Sequence, residues 1–250
     1  MAADLVPAIR WCEASVRPVE YANTASNLAF VVAAVAGLRR ARACRLPRAF
    51  YAAEVALLVV ACGSVLFHYT QSWRYEVADE LPMSLLAVAY LYTISDLHWL
   101  TRGKFRRPVF VASGLCTLAG WCVYLRARDF DVFHALFTAQ VALPALVSCH
   151  AASDLGCPRS SWLAFLLLIA LGKGLWNVER HLWATGACPA SYWSPTYYLH
   201  AAWHVLSAAA HAAAMVYHKE LYVAARDLCV VDAAPPAKKR ASAANLLAVV

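Results

Sequence analysis

Long apolar stretches are the feature that most constrains the fold of this 250-residue chain. Each stretch has the length of a helix that crosses the hydrocarbon core of a bilayer, which takes roughly 20 apolar residues. A helix satisfies its own backbone hydrogen bonds in lipid, whereas an open strand leaves them unpaired. The sequence therefore predicts an all-α membrane protein, a bundle of seven transmembrane helices. The predicted spans are 22–38, 49–67, 80–100, 108–125, 130–149, 161–178 and 195–217.

The composition excludes several other classes of protein. Hydrophobic residues make up 62% of the chain and charged residues 15%, whereas soluble domains have about 45–50% and about 25%. This excess is too large for a soluble core to bury, which excludes a soluble globular enzyme and a disordered chain. No clustered basic domain points to nucleic acid as a partner. A six-span bundle remains open, because the first span is short and the fifth contains Pro144.

Arginine and lysine are distributed unequally between the two sides of the predicted bundle. Fifteen of these residues lie in the loops and tail of one side, and six lie on the other side. The net charge of the chain is +7. Cytosolic loops carry the excess of basic residues in membrane proteins. We therefore predict a lumenal or external N-terminal segment (1–21), a seven-span domain (22–217) and a cytosolic tail (218–250). The tail is predicted to be disordered from about 232.

Three histidines lie at membrane depth near the predicted lumenal side. His68 ends the second span, and His200 and His204 lie in the first turns of the seventh. The i, i+4 spacing places the last two on one helix face, and the topology brings His68 to the same side. Three neutral imidazoles with an open fourth position form a catalytic zinc site. A single histidine at such a place is more simply a packing residue, so the polar neighbours matter.

Ser64 and Asp79 are those polar neighbours. Ser64 lies one turn before His68 on the same helix face, and Asp79 opens the predicted third span at the same side. A carboxylate there can accept a proton from a metal-bound water or orient a ligand histidine. Pro82 is predicted in the first turn of this helix, where its missing N–H costs little.

Three more titratable side chains are predicted at membrane depth. His211 follows His204 by two turns, roughly 10 Å deeper along the helix, and is predicted to pack between helices or to carry protons. Glu54 is predicted to reach the cytosolic interface. Lys173 is predicted to snorkel or to bond a backbone carbonyl within the bundle.

Three segments carry most of these residues. They are WCE at 11–13 with EYANTASN at 20–27, GSVLFH at 63–68 with DELPM at 79–83, and LHAAWHVLS at 199–207. In their order and spacing, and in their seven-span frame, they resemble the alkaline ceramidase family. This family belongs to a wider group of seven-span hydrolases that includes the adiponectin-receptor-like proteins.

The resemblance implies an integral-membrane zinc amidase that hydrolyses ceramide to sphingosine and free fatty acid. His68, His200 and His204 match the zinc ligands of the family. Asp79 matches its acid/base carboxylate and Ser64 the hydroxyl beside the metal. Zinc would activate a water for attack on the amide, and ceramide would enter from the bilayer of the endoplasmic reticulum or Golgi.

The resembled family also has a calcium site near its N-terminus. Glu13, Glu20 and the Trp11 carbonyl match its ligands. Arg10 stands where the family has an aspartate, and Ser15 where it has an asparagine. Calcium takes six to eight oxygens, and a guanidinium removes one ligand and repels the ion. We therefore expect activity to need little or no calcium, with Arg10 paired instead with Glu13 or Glu20.

Two of the nine cysteines, Cys12 and Cys188, belong to the predicted lumenal side. The resemblance implies a disulfide between them, and two free thiols are the alternative. Two other functions also stay open. One is a related seven-span hydrolase acting on another lipid, such as an enzyme that remodels glycolipid anchors. The other is a seven-span receptor that senses lipid without turnover.

Overall fold

The computed structural model describes residues 6–95 and 106–233, and within these ranges the chain is helical with short connections. The helices are α1 (Tyr21–Ser26), α2 (Leu28–Ala43), α3 (Arg48–Thr70), α4 (Trp73–Ser95), α5 (Arg106–Ala127), α6 (Phe130–Leu155), α7 (Ser160–Ala184) and α8 (Leu199–Ala233). Single 3₁₀ turns precede α1 and α8, at Cys12–Ser15 and Pro195–Tyr198. Residues 6–95 and 106–233 contain no strand. The all-α prediction is therefore confirmed.

Five helical segments of the described chain are long and apolar enough to cross a membrane. They are Tyr21–Ala43, Arg48–Thr70, Trp73–Ile94, Phe130–Ala151 and Ser160–Ala184. The fourth predicted span coincides with a shorter apolar helix, Val111–Ala127. The seventh coincides with α8, whose histidines lower its mean hydropathy. The chain is thus a multi-pass membrane protein, and the seven-span count and the orientation stay predictions.

Two helix boundaries differ from the predicted spans. The first span is broken at Asn27, because the Asn27 amide and the Ser26 hydroxyl both bond the Asn23 carbonyl and compete with the helical pattern. The last helix continues to Ala233 and covers the start of the predicted tail. The predicted end of the third span (96–100), the tail from 234 and its predicted disorder lie outside the described residues.

The start of α4 also differs from the prediction. Asp79 and Pro82 lie inside the helix and not at its beginning. An internal proline removes the hydrogen bond that the carbonyl four residues earlier, Ala78, would accept. The α3 backbone lies against this carbonyl, since a Cβ on Gly63 would be 2.0 Å from the Ala78 oxygen. This close approach of α3 and α4 brings Ser64 beside Asp79.

The N-terminal segment packs onto the end of the bundle where α3 finishes and α8 begins. Trp11 is buried, and its ring contacts Phe130 and Trp176. A disulfide joins Cys12 to Cys188, in the connection between α7 and α8. The segment therefore covers the part of the bundle that holds the predicted site.

Candidate metal centre

The three predicted histidines come together beneath the N-terminal segment. His68 lies in the last turn of α3, and His200 and His204 lie one turn apart at the start of α8. Their candidate ligand nitrogens all lie within 4.8 Å of one another, and all three residues are buried. Within residues 6–95 and 106–233, no other group of histidine, cysteine, aspartate and glutamate forms such a cluster.

Hydrogen bonds fix the tautomers of two of these rings. Nδ1 of His68 lies 2.5 Å from Oε2 of Glu20 and donates its proton to that carboxylate. Nδ1 of His204 lies 2.7 Å from the Ser26 hydroxyl. Because that hydroxyl donates to the Asn23 carbonyl, it accepts the proton of the histidine. Nε2 of both rings therefore carries a lone pair.

The ring nitrogens of the three histidines fit a zinc ion as ligands. Nε2 of His68 and Nδ1 of His200 are buried and have no hydrogen-bond partner among the described residues. An unpaired buried polar group costs about 1–3 kcal/mol, and a cation held by the three rings would use the free lone pair of His68 Nε2. Three imidazoles with an open position are the ligand set of a catalytic zinc. His68, His200 and His204 are the residues that would hold it.

Trp11 orients the third histidine. Its ring is stacked on that of His200, with centroids 3.8 Å apart and planes inclined by 22°. Trp176 and Trp203 form a second stack, with centroids 4.8 Å apart. These aromatic layers limit the rotation of His200 and exclude water from one side of the cluster.

Ser64 and Asp79 lie beside the histidines. The Ser64 hydroxyl and the Asp79 carboxylate interact with each other, and the two side chains are 1% and 8% exposed. Asp79 lines the same cavity as His200 and His204. The structure thus brings together all five residues that the sequence proposed for zinc binding and catalysis.

A cavity extends from this site into the bundle. Most of its wall is aromatic or aliphatic, with polar side chains at the histidine end and at His211. A concave apolar site with few polar groups is typical of a small-molecule pocket. Its lining suits a lipid chain.

His211 is buried and bonded on both ring nitrogens. Nε2 lies 2.8 Å from Oε2 of Glu54, and Nδ1 lies 2.7 Å from the Tyr90 hydroxyl. The packing prediction for His211 is therefore confirmed. Glu54 is 2% exposed, so its predicted place at the interface is wrong. The sequence feature that could have predicted this contact is the presence of Glu54 and His211 within two otherwise apolar helices, α3 and α8.

The side chains predicted for calcium already have other partners. The two carboxylate oxygens of Glu13 accept the backbone N–H groups of Ala22 and Asn23, at 2.7 and 2.9 Å, and cap α1. Burial raises the pKa of Glu13 above its ordinary value, and these two hydrogen bonds oppose the rise. The Trp11 carbonyl accepts the N–H of Ala14.

The remaining calcium candidates also have other partners. Glu20 is bonded to His68, and the Ser15 hydroxyl donates to the Cys12 carbonyl at 2.7 Å. Arg10 is exposed, and the described residues contain no ion pair between it and Glu13 or Glu20. The pairing expected for Arg10 is therefore not formed, and the low calcium requirement stays a prediction.

Three buried carboxylates near the site were not predicted. Glu179 on α7 accepts the N–H of Cys12 at 2.8 Å. Glu76 on α4 accepts the N–H of Ala8 at 2.6 Å, and Glu80 accepts a tyrosine hydroxyl of α5. They hold the N-terminal segment and α5 against the site. Each is a glutamate within a largely apolar helix, and this sequence feature could have identified it as a buried polar contact.

Comparison with known proteins agrees with this arrangement. A model of the family named Ceramidase matches residues 7–228. Alkaline ceramidase 3 of Mus musculus is 25% identical over 176 residues, which cover 68% of this chain and 65% of the mouse protein. The alkaline ceramidase of Arabidopsis thaliana is 24% identical over 74% of this chain and 71% of its own length. Alkaline ceramidase 1 of Mus musculus is 27% identical over 79% and 74%. The match thus spans slightly under two thirds of the first relative.

Proposed function

The chain belongs to the ceramidase family, a family of amide-bond hydrolases, and from this premise we propose that it is a zinc-dependent amidase that hydrolyses ceramide to sphingosine and a free fatty acid. The observation that supports this most is the cluster of three buried histidines beside the interacting pair Ser64 and Asp79. The adjoining cavity has a mostly apolar lining, which matches the chemistry of a lipid chain, and relatives in mouse and Arabidopsis are named alkaline ceramidases.

A zinc ion held by the three histidines would supply a Lewis acid and a more acidic water. Asp79 accepts a proton from the attacking water and returns it to the leaving nitrogen. The Ser64 hydroxyl, which lies beside Asp79, donates to the oxygen that becomes negative. The C–N bond breaks, the acyl carbon keeps the oxygen of water, and the amine leaves. Glu20 holds His68 in the required tautomer throughout.

The proposal includes a topology and a location. Seven spans place the N-terminal segment (1–21) in the lumen and the tail from 218 in the cytosol of the endoplasmic reticulum or Golgi. The 35 residues of α8 are enough to cross a bilayer. A disulfide in the N-terminal segment fits an oxidising lumen.

Hydrolysis of ceramide by the purified full-length protein tests the proposal. We expect a strong chelator to remove both zinc and turnover, and stoichiometric zinc to restore turnover. Asp79→Asn should keep zinc and lose turnover by about 10²–10⁴-fold, whereas His200→Ala should lose the metal. Full turnover in a His200→Ala/His204→Ala variant would contradict the zinc mechanism.

A panel of lipids separates the remaining alternatives. Release of fatty acid from a glycolipid and not from ceramide would favour a related hydrolase. Bound zinc without product from any lipid of the panel would favour a receptor that senses lipid. Product from ceramide alone supports the amidase.

A further inference from the structure

Lys173 places its amino group within an apolar part of the bundle. Its Nζ is buried and has no hydrogen-bond partner among the described residues. Nζ lies 3.6 Å from the centroid of the Trp176 ring and 5.3 Å from that of Phe137. Neither of its predicted arrangements, snorkelling or a bond to a carbonyl, is observed. The aromatic contact compensates part of the burial, but the N–H donors of the ammonium remain without an acceptor.

Lys173 lines a second cavity between α6, α7 and α8. It is the one charged residue of that wall, which is otherwise apolar except for Thr138. The second cavity adjoins the cavity at the histidines, because the two share five lining residues. The shared residues are Phe137, Val141, Phe165, Ile169 and Trp203.

The aromatic residues near Lys173 extend to the metal centre. Trp176, which lies against the ammonium, also lines the first cavity and stacks on Trp203. Trp203 directly precedes His204 in α8. The two cavities therefore meet at these shared side chains.

An apolar cavity with one unpartnered ammonium fits a ligand that has a long apolar chain and a single negative end. Resting on the proposed function, the reaction supplies such a molecule. Breaking the amide C–N bond leaves the acyl carbon with the oxygen of water, as a carboxylate, and the nitrogen as an amine that takes up a proton. Ceramide is uncharged and sphingosine is a cation, so charge distinguishes the fatty acid from both.

We infer that Lys173 binds the carboxylate of the fatty-acid product, with its acyl chain in the second cavity. The ammonium donates its free N–H groups to the carboxylate oxygens, and charge-assisted bonds of this kind are the strong ones. The site draws the carboxylate away from the metal centre and leaves that centre open for the next substrate.

Binding of sodium oleate to the purified full-length protein tests this site, with methyl oleate as the uncharged probe. We expect Lys173→Met to weaken oleate binding by roughly tenfold or more, because a charged hydrogen bond is lost. Methyl oleate should bind wild type and variant equally, which also shows that the variant is folded. Lys173→Arg should restore much of the oleate binding. Lys219→Met, outside both cavities, should change neither probe.

The binding assay is repeated after removal of zinc, because a carboxylate can also bind a metal. The difference between wild type and Lys173→Met should persist in the zinc-free protein. Equal oleate binding by the two proteins, or an equal loss of methyl oleate, would overturn the inference. If ceramide is not hydrolysed but oleate still depends on Lys173, the proposed function fails while the fatty-acid site stands.

Discussion

Glu20 lies directly behind His68, and its carboxylate holds the ring so that Nε2 faces the other histidines. Glu20→Gln keeps the shape of the side chain and removes its charge. Loss of such an outer partner lowers metal affinity by about 10–100-fold. We expect the variant to release zinc at chelator concentrations that leave wild type loaded, as measured by metal analysis after dialysis against graded chelator.

Excess zinc should restore most of the turnover of Glu20→Gln, since the ligands themselves are intact. Glu220→Gln is the matched control, because this residue lies at the opposite part of α8 and contacts Ser161. Identical chelator sensitivity in Glu20→Gln and Glu220→Gln would show that Glu20 does not support the metal.

Arg10 and Ser15 determine the expected response to calcium. The remaining candidate oxygens already accept protein donors, so turnover of wild type should be nearly unchanged by micromolar calcium or by its chelation. A double variant, Arg10→Asp with Ser15→Asn, supplies the oxygens that calcium prefers. It should gain a calcium-dependent rise in melting temperature. Strong, saturable activation of wild type would contradict the expectation.

The individual residues differ in how far the sequence reveals their roles. His200 and His204 share a helix face by spacing alone, and Ser64 lies one turn from His68, so this part of the cluster was predictable. The role of Glu20 as the hydrogen-bond partner of His68 was not predictable, because it depends on how a loop folds across the end of α3. Periodicity describes one helix at a time and contains no information on which loop side chain meets its end.

The contact between α3 and α4 depends on Gly63. A Cβ at this position would lie 2.0 Å from the Ala78 oxygen and 2.9 Å from the Asp79 nitrogen, both backbone atoms that cannot move alone. Gly63→Ala therefore separates the helices and weakens the Ser64–Asp79 contact. We expect unfolding to become easier by about 1–3 kcal/mol, as for other overpacked sites, and turnover to fall while zinc is retained.

Gly114→Ala is the matched control, because a Cβ there meets nothing within 4 Å. Alanine favours a helix over glycine by about 0.5–1 kcal/mol, so this variant should melt at the same temperature or higher. Thermal melts and turnover of the two variants give the comparison. A melting temperature of Gly63→Ala that matches Gly114→Ala would exclude a tight α3–α4 contact.

Helix existence was easier to predict than helix ends. Apolar length predicted five segments that the structure forms as helices long and apolar enough to cross a membrane. The end of α8 was missed because Leu221 and Ala225 pack on Ile94 and Ala151, a tertiary contact that extends the helix beyond its apolar run. The break at Asn27 was missed because side-chain bonds to the backbone leave no mark on hydropathy.

Two independent features of the whole molecule point to one orientation. Basic residues, including Arg39 and Arg40, gather where α2 meets α3, and such residues remain cytosolic. The Cys12–Cys188 disulfide lies at the other end of the bundle, beside the histidines, and disulfides persist in oxidising compartments. Charge and redox chemistry act through different mechanisms, so their agreement places the metal centre at the lumenal side in our proposal.

Glycosylation of engineered sites tests this orientation on the full chain. The sequence has four asparagines and no Asn-X-Ser/Thr acceptor, so any glycan reports an introduced site. An acceptor added before residue 6 should be modified in microsomes and shift the mobility of the protein, because transfer occurs in the lumen. The same acceptor added after Val250 should stay unmodified, and its exposure to added protease should confirm a cytosolic tail. The reverse pattern would show that the bundle has the opposite orientation in the membrane. Modification at both ends would instead require an even number of spans, as in the six-span alternative.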